Sequence, residues 1–145
     1  ISCSLVGSEM CIRDRHCKQY DEYNGSVAVV VCDINHLSDI NIQYGQKAGN
    51  QALINVAGVL KKILMDRAYI ARINEGNFVA VMKNVTDAEA GKTFEQIKRT
   101  VEKECSNGKF GVTIEYGIAM RKASNRWIMD IVHEAVNDMR DRKGR

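Results

Sequence analysis

Hydrophobic and polar positions change their period several times along the chain, and each change marks an element. Residues 26–32, SVAVVVC, are apolar without interruption and rich in Val. A run this short and β-branched predicts a strand buried on both faces rather than a helix. It ends at Asp33. A short polar helical stretch follows over 36–44 and stops at Gly45. Residues 50–64 then place Ala52, Leu53, Val56, Ala57, Leu60 and Leu64 at helical spacing, with Lys61 and Lys62 in the last turn, where cations suit the negative end of the helix. Two apolar runs, 69–73 and 78–82, flank the turn formers Asn74, Glu75, Gly76 and Asn77. That pattern predicts an antiparallel hairpin.

Thr86-Asp87-Ala88-Glu89 has the spacing of a capping box, and Ala90, Phe94, Ile97, Val101 and Cys105 mark one face of the helix it opens. Asn107-Gly108 ends that helix, and 111–119 reads as a fourth strand. The last helix is expected to begin near Ser124 or Asn125 and to turn Ile128, Ile131, Val132, Ala135 and Met139 inward. A hairpin therefore stands where a doubly wound fold would have another crossover helix. The expected fold class is α+β, a central mixed sheet with a hairpin, covered by helices.

Composition narrows the function classes. The 145 residues fit one domain, and no apolar run approaches the roughly 20 residues that cross a bilayer. Membrane contact by this segment is not expected. Lys and Arg number 21 against 18 Asp and Glu, and the basic residues are scattered except for Arg140, Arg142, Lys143 and Arg145. That suffices for one phosphate contact but not for a nucleic-acid stripe. Cys3, Cys11, Cys17, Cys32 and Cys105 form neither a CxxC nor a Cys/His cluster, so they read as reduced thiols of a cytoplasmic chain. Residues 1–15, ISCSLVGSEMCIRDR, have no periodicity and no signal-peptide pattern. They resemble a translated sequencing adaptor and are set aside as non-native, which assigns the domain to residues 16–145 with an incomplete amino terminus.

Three blocks resemble the GGDEF family, the diguanylate cyclases of bacterial signalling. Cys32-Asp33-Ile34-Asn35-His36-Leu37-Ser38-Asp39-Ile40-Asn41, followed by Tyr44-Gly45-Gln46 and Gly49-Asn50, lies where the family reads DxDxFKxxND, YGH and GD. Ala71-Arg72-Ile73-Asn74-Glu75-Gly76-Asn77-Phe78 lies where it reads ARYGGDEF. Val112 to Ala119 lies on VTxSxGIA, and Ala135 to Lys143 on ADxAMYxAK. The resemblance implies the GGDEF fold, a site for GTP with Mg, and pairing of two domains so that the 3′-hydroxyl of each GTP attacks the α-phosphate of the other to give cyclic diguanylate. It also implies metal binding by Asp33 and nucleotide binding by Leu37, Asn41, Asn50 and Lys143. Such chemistry rests on positioning and on metal neutralisation of charge.

The departures from the family pattern fall on chemistry. The second metal carboxylate, third letter of the signature, is Gly76, and the fourth letter, Glu, is Asn77. The signature glycines are Asn74 and Glu75, the Lys of DxFK is Ser38, the His of YGH is Gln46, and the base-reading Asp is Asn50. The product-binding RxxD would fall on Met65 and Ala68. No confident catalytic residue is left, and Mg binding is expected to be weakened.

Local readings stand beside these. Asp33 reads as a metal ligand or as the cap of the following helix; Asn41 as a guanine contact or as a C-cap; Lys143 as a phosphate contact or as a helix-dipole cation. Glu75 reads as a displaced metal ligand or as a solvated turn residue, and His36 as a surface residue. The expected function is a degenerate GGDEF domain in a cyclic-di-GMP signalling protein, catalytically inactive, acting as a regulatory, GTP-sensing or partner-binding module. Its expected partners are other domains of a longer chain and a second GGDEF domain. The alternative is an active cyclase with an unusual signature. A phosphoacceptor receiver domain would also place an Asp after a Val-rich strand, but the hairpin argues against its alternating topology.

Overall fold

The computed structural model describes residues 25–73, 76–122 and 128–144. The segment 1–15 and the expected cap at Ser124 or Asn125 lie outside them. In chain order the elements are β1 (Val27–Ile34), α1 (Leu37–Tyr44), α2 (Gln46–Leu64), a 3₁₀ turn (Met65–Arg67), β2 (Ala68–Arg72), β3 (Asn77–Lys83), α3 (Asp87–Glu104), β4 (Ile114–Arg121) and α4 (Ile128–Lys143). The strands form one sheet in the order β2-β3-β1-β4.

The sheet is α+β with helical cover, as expected, but the expectation of a mixed sheet is corrected: β1–β3, β1–β4 and β2–β3 all pair antiparallel. The reason is that each helical crossover skips a place. β1 and β2 run the same way with β3 between them; β3 and β4 run the same way with β1 between them. Like-directed strands therefore never become neighbours.

β1 is buried on both faces. Ala28, Val30, Cys32 and Ile34 join Val56, Leu60, Phe94 and Ile97 of α2 and α3, while Val27, Val29 and Val31 join Ile131, Val132, Ala135 and Met139 of α4. The capping box of α3 forms as read: Thr86 Oγ1 accepts from the Glu89 N–H at 3.1 Å, and the Glu89 carboxylate accepts from the Thr86 N–H at 3.4 Å. Gly117 lets α4 lie directly on β4, since a Cβ there would sit 2.2 Å from the Ala135 carbonyl oxygen and 2.3 Å from the Met139 nitrogen.

Candidate functional site

The alternation of β1 decides where Asp33 goes. It continues the face of Val27, Val29 and Val31, which is the face that α4 covers. The last turn of α4 brings Lys143 to the same place, and the Lys143 ammonium is ion-paired to Asp33 Oδ2. The capping alternative for Asp33 is thereby corrected. His36 precedes α1 with a left-handed backbone, φ 58°, and no side chain caps that helix. The chain turns sharply at His36, so Asp33 is still within the strand when the helix starts. The His36 side chain is exposed, 3.4 Å from Asp39.

Two further positions meet Asp33 across the sheet. Asn77 pairs with it on β3 and Glu115 on β4. Directly opposed residues share a face, with Cβ atoms about 4.5–5.5 Å apart, so Asp33 and Glu115 present like charges side by side. Glu115 is held by Lys98 of α3 at 3.4 Å. Gly76 accepts the Ile34 N–H through its carbonyl at 3.2 Å. A Cβ on Gly76 would lie 3.4 Å from Asp33 Oδ1 and 3.2 Å from Leu37 Cδ2. A side chain at position 76 would therefore project beside the Asp33 carboxylate. Asn74 and Glu75 lie outside the described residues, and with them the reading of Glu75 as a displaced ligand.

Asp33, His36, Leu37, Ser38, Asn41, Gly76 and Asn77 line a cavity of about 270 Å³. Asn41 sits inside α1, and the C-cap of that helix is Gly45, whose N–H reaches the Asn41 carbonyl. That corrects the C-cap alternative for Asn41: the helix runs on to Tyr44. Its carboxamide lies on the backbone of α2 at Gly49, where a Cβ would fall 1.6 Å from Asn41 Oδ1. Only glycine admits that approach. The oxygen is closed to solvent and has no hydrogen-bond partner among the described residues. A buried acceptor left unpaired costs about 1–3 kcal/mol. Asn50 is not brought into this cavity: it accepts from Gln46 Nε2 at 3.2 Å and lines a neighbouring groove of about 600 Å³ with Leu53, Ile54, Arg72 and Phe78.

The carboxyl end of α4 is fastened by Asp138, which the sequence reading did not single out, and by Arg142, which it read only as part of the terminal basic cluster. Asp138 Oδ2 accepts the Ile118 N–H at 2.8 Å and the Arg142 Nε–H at 2.9 Å. The Arg142 guanidinium stacks 4.9 Å from the centre of the Tyr116 ring, whose hydroxyl donates to Glu95 at 2.6 Å. Burial, then the Glu95 bond, pushes the Tyr116 hydroxyl up to about 12. Asp138 and Arg142 stand where the family motif has alanines. The signal available was their i, i+4 spacing.

Magnesium prefers near-octahedral oxygen ligands and is usually held by one or two carboxylates with waters and phosphate oxygens. The described residues do not fit it: Asp33 is occupied by Lys143, position 76 has no side chain, and no three His, Cys, Asp or Glu side chains converge among the described residues. Asn41 Oδ1 is itself closed off, packed against Gly49 without a hydrogen-bond partner among the described residues.

A sequence profile described as "Diguanylate cyclase, GGDEF domain" matches residues 12–145. The chain belongs to the GGDEF family. Diguanylate cyclase A of Treponema denticola is 27% identical over 101 residues, covering 68% of this chain and 27% of that protein. Diguanylate cyclase DgcP of Pseudomonas aeruginosa is 37% identical over 68 residues, covering 47% of this chain and 10% of its own length. The chain spans about a quarter of the length of the first curated relatives it matches. Among solved structures, the GGDEF domain of DgcB from Caulobacter crescentus in complex with c-di-GMP is similar with a TM-score of 0.83 at 20% identity, covering 94% of this chain and 84% of that one. SiaD of Pseudomonas aeruginosa, a diguanylate cyclase in complex with its activator SiaC, is similar with a TM-score of 0.81 at 16% identity, covering 93% and 54%. Among the described residues, this GGDEF chain has no helix long and apolar enough to cross a membrane.

Proposed function

We propose that this GGDEF domain has lost diguanylate cyclase turnover and serves as a non-catalytic regulatory module of a longer signalling protein, with a weakened guanine nucleotide site as its sensor. One observation carries the reading: Asp33 faces Gly76 where a second carboxylate would stand, and its charge is already met by Lys143. Without a metal fixed against the α-phosphate, the step that needs most charge neutralisation has no support. Leu37 and Asn41 line the cavity and Lys143 stands beside Asp33, which places apolar, amide and cationic groups around the space a nucleotide would enter, although the Asn41 oxygen itself is closed off. Asn50, which borders the neighbouring groove, is the second base-reading position by resemblance; an amide there offers one acceptor oxygen to two adjacent guanine donors where a carboxylate offers acceptors to both. A fold shared with SiaD, solved with an activator protein, supports a partner-binding role. The relatives named as cyclases favour the second reading, condensation of two GTP into cyclic di-GMP, but they carry no information on the loss at position 76.

Calorimetric titration of the chain and of Asn50→Asp with GTP and with ATP tests the sensor. Weak, poorly selective binding by the unmodified chain is expected, with about a tenfold gain for GTP alone in Asn50→Asp. Tight guanine-selective binding by the unmodified chain, or no gain in the variant, would overturn the assignment of Asn50.

A further inference from the structure

We infer that Lys143 is the built-in cation of this site: its ammonium takes the place of a divalent metal at Asp33, closes that position to magnesium, and leaves two donors for the phosphate oxygens of a metal-free nucleoside triphosphate. The nucleotide part rests on the reading proposed above, whereas the metal part stands without it.

Charge and geometry lead there together. Asp33 and Glu115 are opposed on adjacent strands, an arrangement that is unfavourable unless each charge is met. Each is met by a lysine from a different helix, Lys143 of α4 and Lys98 of α3. A divalent ion would have to displace the ammoniums that the fold delivers to Asp33 and to Glu115, and position 76 supplies no further ligand. An ammonium has three donors, of which Asp33 takes one. The Lys143 side chain is 37% exposed, so it is not sealed within the core.

The metal part is read by electron paramagnetic resonance of Mn²⁺ added alone to the chain, Lys143→Met, Gly76→Asp and the double variant. The unmodified chain is expected to show no Asp33-dependent binding. Gly76→Asp should bind weakly, and adding Lys143→Met should tighten it by about tenfold. Gly76 has no left-handed backbone and its nearest neighbours are side-chain ends, so the substitution is compatible with the fold. Should it nevertheless fail to fold, Lys143→Met alone must give a gain that Asp33→Asn removes. Mn²⁺ binding by the unmodified chain that Asp33→Asn abolishes, or equal binding by Gly76→Asp and the double variant, overturns the proposal. For the nucleotide part, a fluorescent GTP analogue should bind equally well in EDTA and in Mg²⁺, and about tenfold more weakly to Lys143→Met. Binding that requires Mg²⁺ overturns it. No binding under either condition defeats the sensor reading, and the Mn²⁺ result still decides the role of Lys143.

Discussion

Asp33, at the carboxyl end of β1, and Lys143, in the last turn of α4, are 110 residues apart in sequence and ion-paired in the fold. The pair joins β1 to α4, and its Asp33 member lines the candidate site. Its side chains are 23% and 37% exposed, so solvent screens their attraction. Such pairs contribute about 0.2–1 kcal/mol. Lys143→Met and Asp33→Asn are each expected to lower the urea-unfolding free energy by no more than about 1 kcal/mol. A loss of several kcal/mol would mean that the pair holds the fold together rather than setting the charge of the site.

Asn41 and Gly49 are coupled sterically. Gly49→Ala drives a methyl into the Asn41 carboxamide and is expected to destabilise by about 1–3 kcal/mol, although alanine is the better helix former. Asn41→Ala removes both the obstacle and the unpaired oxygen. Gly49→Ala should therefore cost little, or even stabilise, in the Asn41→Ala background. Equal effects in both backgrounds, measured by chemical denaturation in a double-mutant cycle, would contradict the contact.

Cys32 lies in the core of β1, where burial and, to a smaller extent, the Asp33 charge push its thiol up to about 12. The folded chain therefore holds this proton over a range in which the unfolded chain has released it. The resulting stability is present below the ordinary thiol value of about 8.5 and is lost as pH rises toward 12. Iodoacetamide at mildly alkaline pH should leave Cys32 unlabelled in the native protein and label it in denaturant, as read by peptide mass spectrometry. Native-state labelling of Cys32 at the denatured rate would contradict its burial.

Short uninterrupted apolar runs and period-3.6 patterns made the elements legible, because burial on both faces of a strand or on one face of a helix is written in local sequence. The antiparallel sheet was not legible as such: hairpins and crossovers reveal the direction of a strand, but which strand fills the skipped place is a tertiary fact. At the site, motif spacing located Asp33, Asn41 and Lys143. It did not reveal that Lys143 reaches Asp33, nor that Glu115 stands opposite Asp33, since one is a contact across 110 residues and the other depends on strand register. The capping role read for Asp33 failed because the left-handed turn at His36 delays the helix. Gly49 left no signal of its close approach, because the helical spacing is legible only from residue 50, whereas the helix starts at Gln46, which places this glycine inside it.

The loss of turnover is tested most directly by incubating the purified chain with GTP and Mg²⁺ at high protein concentration, where two GGDEF domains can meet, and quantifying cyclic di-GMP by liquid chromatography and mass spectrometry. The expected result is no product above a protein-free control. Product that accumulates with the unmodified chain and disappears in Asp33→Ala would show that this site still supports catalysis without a carboxylate at position 76.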